Sequence, residues 1–293
     1  MVASRVARMR RLIVLAAPLC ALAATVTGTS GGAVAASCAK GQLKTVAAGK
    51  LTVGTDNPAY PPWFGGKPGH GWKVSDPYSG KGFESAVAYA VARELGFTRA
   101  QVVWKYVPFS KSYAPGRKPF DFDINEISYT PARAKVVDFS SSYYDVSQAV
   151  VVNKGTKAAS ARSIAALRGL KLGAQIGTTS YTAIVKQIRP RTKPAVYDTN
   201  DKAVFALKTK QIDGLVVDLP TAFYVTAVQV PNAKIVGQLP PLAGGEHFGM
   251  VLQKGSPLTA CVDAALARLQ ANGTLKKIQT TWLSKVVGVP VLT

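Results

Sequence analysis

Short runs of branched aliphatic residues alternate with stretches of helical period along most of the chain. This alternation limits the fold more than any other feature. Leu51-Thr52-Val53-Gly54 reads as a strand, and after a long loop Phe83, Val87, Val91 and Leu95 recur every four residues and stop at Gly96. That is the pattern of an amphipathic helix closed by glycine. Val102 to Val107 is the next strand, and others are predicted at 170–176, 195–197, 215–217, 235–236 and 248–252. Helices over 179–188, 200–210 and 220–228 fall between them. Strand and helix in turn predict an α/β architecture with mostly parallel sheets. Two helices close the chain. Ser256-Pro257 predicts an N-cap and first helical residue ahead of Leu258, Val262, Ala265 and Leu269. Asn272-Gly273 ends that helix, and Thr274 is predicted to cap the next, with Leu275, Ile278 and Trp282 on its apolar face. Asn272-Gly273-Thr274 also spells a glycosylation acceptor, but a turn between helices is the better reading. The Gly-, Lys- and Pro-rich segment 64–82 is predicted to be a surface insertion.

Residues 1–36 read as an export signal. Arg5, Arg8, Arg10 and Arg11 precede an apolar run from Leu12 to Val26, and Ala33-Val34-Ala35-Ala36 offers a cleavage site. The apolar run is too short for the ~20 residues of a membrane span. Cys20 leaves with the signal, so an exported chain keeps Cys38 and Cys261, and an even count in an oxidising compartment suggests a disulfide. The rival is a lipid on Cys38, which would anchor the protein to a membrane. Ala35-Ala36-Ser37-Cys38 is a poor lipobox, lacking the usual Leu three residues ahead.

The full chain of 293 residues carries 36 Lys+Arg against 15 Asp+Glu. Loss of four signal arginines leaves 32 − 15 = +17. Such a charge can suit nucleic acid or anionic polymers. Lys105, Lys111, Arg117 and Lys118 do interleave with Tyr106, Phe109 and Tyr113, yet no nucleic-acid motif occurs and the bases are spread along the chain. A solvated basic surface is the reading, with no nucleic-acid partner. His70 and His247 are the only histidines, and no HExxH, CxxC pair, GxSxG or Walker A string is present. The sequence therefore predicts no metal, no cofactor and no nucleophilic catalytic centre.

Five segments in order are specific: GTDNPAYPPW at 54–63, NEISYTPARAKVVDFS at 125–140, GTTSY at 177–181, IDGLVVDLPTA at 212–222 and ANGTLKKIQTTW at 271–282. In order and spacing they resemble the family 3 periplasmic solute-binding proteins, the amino-acid receptors of ABC importers, over residues 50 to about 285. The resemblance implies a two-lobed type II (Venus-flytrap) fold whose two hinge crossings fall near 145–149 and 243–247. Lobe one would be 38–146 plus 246–293 and lobe two 147–245. It further implies a monomeric, exported receptor, periplasmic or extracellular, that closes on an amino acid and delivers it to an ABC permease rather than catalysing a reaction. The alternative on the same fold is a cyclohexadienyl dehydratase-like enzyme, which needs a cleft acid of raised pKa; Glu126 is the candidate.

The segments suit a zwitterion. Arg133 offers the planar bidentate cation that a carboxylate prefers, placed in a first helical turn by Thr130-Pro131. The plainer alternative is a surface arginine paired with Asp138. Thr178, Thr179 and Ser180 follow Gly177 at a predicted helix start, where free N–H groups favour an anion, although Thr179 or Ser180 can equally cap the helix. By the resemblance, Asp218 receives the ammonium, while Tyr60 and Trp63 sandwich the ligand's side chain; Asp218 could instead cap the helix after Pro220, and the rings could simply pack their loop. Asp56 contacts a cationic side chain in some relatives and in others only orders its loop. The chain departs from the family at Asp123, Asn125 and Glu126, where apolar or small residues are usual. Asn125 and Ser128 keep hydrogen-bonding capacity for the zwitterion. Glu126 puts an acid near the site and makes a basic or amide-bearing amino acid plausible, unless a neighbouring lysine pairs with it.

Overall fold

The computed structural model describes residues 38–241, 245–284 and 288–293. The export signal at 1–36 and part of the second crossing at 243–247 lie outside the described residues. Two five-stranded sheets form the frame, each covered by helices. The first contains β1 (Leu51–Thr55), β2 (Val102–Tyr106), β3 (Phe122–Asp123), β4 (Val137–Asp145) and β10 (His247–Gln253), in spatial order β2-β1-β3-β10-β4. The second contains β5 (Gln148–Asn153), β6 (Leu172–Gln175), β7 (Ala195–Tyr197), β8 (Gly214–Asp218) and β9 (Ala233–Gln238), in order β7-β6-β8-β5-β9.

Sequence alternation predicts the parallel part of each sheet: β1 pairs with β2 and β3, and β6 with β7 and β8. The sheets are mixed rather than mostly parallel, because β10 runs antiparallel to β3 and β4, and β5 antiparallel to β8 and β9. Those two strands carry the chain from one sheet to the other. β5 enters the second sheet directly after β4 leaves the first, and β10 returns, so each meets its neighbours head to tail. Strands β3, β4 and β5 have no counterpart in the sequence reading. In β4 three successive serines, Ser140, Ser141 and Ser142, dilute the apolar signal, whereas all six residues of β5 are buried and show no alternation.

Helix α1 (Phe83–Glu94) buries Val87 and Val91 on the first sheet and ends where Gly96 takes φ +82°, the left-handed turn that glycine accepts without a Cβ penalty. It packs with α8 (Thr259–Ala271) and α9 (Thr274–Leu283) into one core. The α8 start lies two residues beyond the predicted one: Ser256 and Pro257 form the preceding turn, where Ser256 Oγ accepts from Leu258 N–H at 3.3 Å. Thr274 is the first residue of α9 rather than its cap, and Asn272 Oδ1 accepts its N–H at 3.0 Å. The segment 64–82 is not a simple surface insertion, since Phe64, Trp72, Ser75 and Asp76 are buried. Phe64 and Trp72 join the first core and draw the segment down onto it. The second sheet is flanked by α4 (Ile164–Leu167) and α5 (Thr179–Ala183) on one face and by α6 (Asn200–Lys208) and α7 (Leu219–Tyr224) on the other. Short helices α2 (Phe109–Ser112) and α3 (Pro131–Ala134) lie beside the first sheet.

The sequence reading places all of 246–293 with the first lobe, and the chain's end departs from this. Val291 bridges Gln238 of β9, Leu292 N–H donates to Gln238 O at 2.9 Å, and Leu292 is buried in the core of the second sheet. Gly237 admits it: a Cβ there would lie 2.4 Å from Leu292 Cγ.

Cys38 and Cys261 are joined, with Cα atoms 5.4 Å apart across a sequence separation of 223. The bond ties the N-terminal segment to α8 within the first core. Closing so long a loop restricts the unfolded chain, so reduction should lower stability by roughly 2–5 kcal/mol. Urea unfolding of residues 37–293 with and without reductant measures the difference. Thiol titration of the unfolded, unreduced protein should find no free thiol.

Candidate functional site

The C-terminal ends of β1, β3, β6 and β8 converge on one cavity of about 230 Å³ between the two sheets. Parallel strands present their loops and helix starts at this end, which is where α/β sheets form ligand crevices. All eleven residues singled out in the sequence line it: Asp56, Tyr60, Trp63, Asn125, Glu126, Ser128, Arg133, Thr178, Thr179, Ser180 and Asp218.

Arg133 sits on α3, whose first turn is set by Thr130 accepting the Arg133 N–H at 3.2 Å. It is buried, not the surface partner of Asp138, which pairs with Lys254 instead. Its guanidinium donates to Ser128 O at 2.7 Å and to Gly177 O at 2.8 Å, so it bridges the two sheets. The Tyr113 ring lies 4.1 Å beneath it and holds its plane by cation–π contact. Thr178, not Thr179 or Ser180, caps α5 by accepting the Tyr181 N–H at 3.1 Å. That leaves Thr179 Oγ1 for Ser128 Oγ at 3.1 Å and Ser180 Oγ for Gln148 Oε1 at 2.6 Å.

Asp218 precedes α7 without capping it; its Oδ1 accepts from Gln148 Nε2 at 2.6 Å. Glu126 takes φ +54°, a left-handed conformation uncommon for a residue with a Cβ. Its N–H donates to Glu84 Oε1 at 2.7 Å, and its Oε2 accepts from Thr221 Oγ1 at 2.7 Å. The Trp63 indole N–H donates to the same Thr221 oxygen at 2.9 Å. A chain of hydrogen bonds thus runs from the first core through Thr221 of α7 to Glu126, whose carboxylate accepts from Thr221 rather than from a lysine. Trp63 is otherwise a core residue, packed edge-on to Phe83, Tyr144 and Phe248. Tyr60 lies nearer solvent and meets Tyr224 across the cleft at 5.7 Å. Asp56 accepts its neighbour's N–H, ordering the loop as well as lining the cavity. Asn125 Nδ2 is buried with no hydrogen-bond partner.

Sequence reasoning missed Glu84, Gln148, Thr221 and Glu246. Glu84 in the first turn of α1 accepts from Tyr143 Oη at 2.5 Å. An acid on the helix face that otherwise buries Phe83 and Val87 was the available signal. Gln148 opens the apolar β5, and Glu246 follows a glycine pair outside any motif. Glu246 Oε1 accepts from Ser128 Oγ at 2.7 Å and from Gln148 Nε2 at 3.1 Å. His70 and His247 lie outside the cavity, His70 against Asp76 and His247 stacked on Tyr129.

The acids crowd one another. Burial is the main cause that raises the pKa of Glu126 well above the ordinary carboxylate range, with Glu84 and Asp218 adding repulsion. Burial and then Glu246 raise Asp218 in the same way, against the Gln148 hydrogen bond that lowers it. Burial pushes Glu84 up to about 7, against its bonds from Tyr143 and Glu126. Asp56 is also raised, first by burial. Asp123 is raised by burial and by Glu84, and both of its oxygens lack hydrogen-bond partners.

Residues 51–285 match the bacterial extracellular solute-binding proteins, family 3. The glutamine-binding ABC transporter protein GlnH of Bacillus subtilis (strain 168) is 27% identical over 217 residues, 72% of this chain and 77% of that one. Among solved structures, an ancestral arginine-binding protein bound to glutamine is 32% identical with a TM-score of 0.66, covering 80% of this chain and 98% of its own. An ancestral amino acid-binding protein described as a precursor of cyclohexadienyl dehydratase is 27% identical with a TM-score of 0.63, covering 80% and 95%. The fold is therefore the two-lobed type II arrangement of these proteins.

The buried acids set the sign of a pH dependence. Glu84 has a folded pKa of about 7 against an ordinary 4.5, so the folded state binds more protons between those values. Stability then falls as pH rises through that window, and Asp56, Asp123, Glu126 and Asp218 act in the same direction. The ligand-free protein should be more stable at mildly acidic than at mildly alkaline pH, by on the order of 1–3 kcal/mol. Thermal unfolding across that range at fixed ionic strength checks this; a midpoint that rises with pH would contradict it.

Proposed function

The chain belongs to the bacterial extracellular solute-binding proteins, family 3, and on that premise we propose that it captures a cationic L-α-amino acid in the cleft and delivers it to an ABC permease. Charge carries the choice of ligand. Asp56, Glu126, Asp201 and Asp218 line the cavity with a single lining cation, Arg133, and Asp198, also lining it, is exposed and paired with Lys202. Glu84 and Glu246 are hydrogen-bonded to lining residues, so seven of the chain's fifteen acids gather here although the whole chain carries +21. An anionic side chain would meet like charge where water screens it least.

In this reading Arg133 holds the α-carboxylate, assisted by Thr178, Thr179 and Ser180 at the start of α5. Asp218 takes the α-ammonium, with Asn125 and Ser128 as further hydrogen-bonding partners. Glu126 and Asp56 face the cationic end of the side chain, and Tyr60 and Trp63 cover its aliphatic stem. Lobe one comprises 38–146 with 246–284, lobe two 147–245 with the chain's last residues. Hinge motion at the crossings opens and closes the cleft, and the receptor works as an exported monomer outside the cytoplasmic membrane. Arginine and glutamine appear among the named ligands of the relatives, which fits a basic or amide-bearing side chain.

An enzyme on the same fold is the second reading, favoured by the raised pKa of Glu126, the property a general acid needs. Turnover of prephenate or arogenate by the purified protein would move that reading to first place.

Calorimetric titration of residues 37–293 with arginine, lysine, glutamine, glutamate and leucine tests the ligand class. Arginine or lysine should bind tightest, and tightest binding by glutamate would defeat the charge argument while leaving the family unaffected. Arg133→Ala should weaken binding by about 3 kcal/mol or more, since it leaves a buried carboxylate unpaired. Equal affinities would remove Arg133 from the site. Glu126→Ser should cost the cationic ligands roughly tenfold or more relative to glutamine, because it removes a charge from a low-dielectric cleft. An unchanged ranking would show that Glu126 does not read the side chain.

A further inference from the structure

Basic residues are not spread evenly over the folded chain. Residues 146–197 contain nine Lys or Arg and no Asp or Glu. Topology gathers six of them at one end of the second sheet. Strands β6 and β7 run parallel, and their C-terminal ends lead to Thr178 and Asp198 at the cavity, so their N-terminal ends point away from it. Lys171 and Lys193 each stand two residues ahead of the paired residues Gly173 and Ala195, which makes them neighbours at that far end. Strand β5 starts at the cleft with Gln148 and runs the other way, bringing Lys154 out at the same end. Arg168 and Arg191 are fastened together there by a backbone bond of 2.8 Å from Arg191 N to Arg168 O, and Arg189 lies two residues away.

All six of these side chains are exposed. Among the described residues none forms an ion pair; the four ion pairs use other cations. Asp213 is the acid at this end, and its carboxylate is engaged by the Lys171 N–H at 2.8 Å. The molecule is therefore polarised, with acids in the cleft and unpaired bases at the pole of the second lobe.

We propose that this pole adheres to an anionic phospholipid surface. Long basic side chains with no acid partner, three of them held only by backbone carbonyls, suit a diffuse negative charge better than a shaped protein interface. The disulfide supplies a second argument. A lipid on Cys38 would need the sulfur that is bonded to Cys261, so this protein lacks that covalent hold in its oxidised form. Charge at the pole provides a reversible one, on a face far from the cleft, leaving the cavity and both crossings free. The proposal does not depend on which solute the cleft takes.

Sedimentation of residues 37–293 with protein-free vesicles of phosphatidylcholine, alone or mixed with phosphatidylglycerol, is the test. Wild-type protein should bind the mixed vesicles, leave them at molar salt and ignore the neutral ones. Each basic side chain near such a surface strengthens adhesion roughly fivefold, so the triple variant Lys171→Gln, Arg191→Gln, Lys193→Gln should bind on the order of a hundredfold less well. An equal neutralisation on the first lobe, Lys50→Gln, Lys67→Gln, Lys277→Gln, should change binding by less than about fivefold. Equal losses in the two triple variants would reduce the effect to net charge and overturn the proposal. No binding of wild type to anionic vesicles would overturn it as well. So would sedimentation only with neutral membranes that carry protein, an outcome that points to a protein partner. Amine-reactive labelling of vesicle-bound wild type gives a reading independent of how well the variants fold. Lys171 and Lys193 should be protected and Lys50 and Lys277 not; uniform labelling would again contradict the pole.

Discussion

Buried carboxylates need donors, and in this cleft one amide serves two of them, one from each lobe. Gln148 opens β5 directly after the first crossing, and its Nε2 reaches Asp218 at 2.6 Å and the two Glu246 oxygens at 3.1 and 3.2 Å. Glu246 stands just ahead of β10, the return strand, so the contact ties the two crossings to each other and to the acid at the end of β8. On its other side Gln148 Oε1 accepts from Ser180 Oγ. An amide is suited to this post because it both donates and accepts without carrying charge. A lysine there would neutralise the acids that the proposed ligand must meet, and an apolar residue would leave Asp218 and Glu246 to repel each other unrelieved.

The same economy of cations extends outward. A chain with +21 has ample lysine and arginine to pair with every acid. The cavity nevertheless keeps one basic side chain, and that one also donates to backbone carbonyls of both lobes and lies over the Tyr113 face. The remaining Lys and Arg stand outside the cavity, six of them at the distant pole of the second lobe. Separation of this kind leaves a field that draws cations toward the cleft while the rest of the surface repels them, which suits the cationic ligand proposed above.

Much of the site is legible in the sequence because its residues lie in short strings at strand ends. GTDNPAYPPW begins in the last two residues of β1, NEIS follows β3, GTTS follows β6, and Asp218 ends β8, so local pattern and position coincide. What escapes is whatever depends on pairing across the chain. Glu246 and Gln148 are almost a hundred residues apart, and nothing near either one signals the other. The return strands that make both sheets mixed are hidden for a related reason: their direction follows from which sheet they enter, not from their composition. The final residues defeat local reading too. Val291 and Leu292 look like an apolar tail to the preceding helix, and only the space above Gly237 shows that they belong to β9.

In the proposed reading, closure and ligand charge are linked through the acids. Glu126 follows β3 of the first sheet and Asp218 ends β8 of the second, and Asp218 adds to the cost of ionising Glu126 across the cleft. Without a cation between them, closing the cleft brings like charges together in a place with little water to screen them. Protonation can relieve that repulsion, and so can a bound ammonium or guanidinium. Opening relieves it by separation. A cationic ligand stabilises the closed state beyond its direct contacts, because it cancels a repulsion that exists only there. A neutral ligand of the same shape gains the contacts and leaves the repulsion standing. Since a ligand shifts a conformational equilibrium only by its differential affinity for the two states, the proposed selectivity and closure would arise from the same carboxylates.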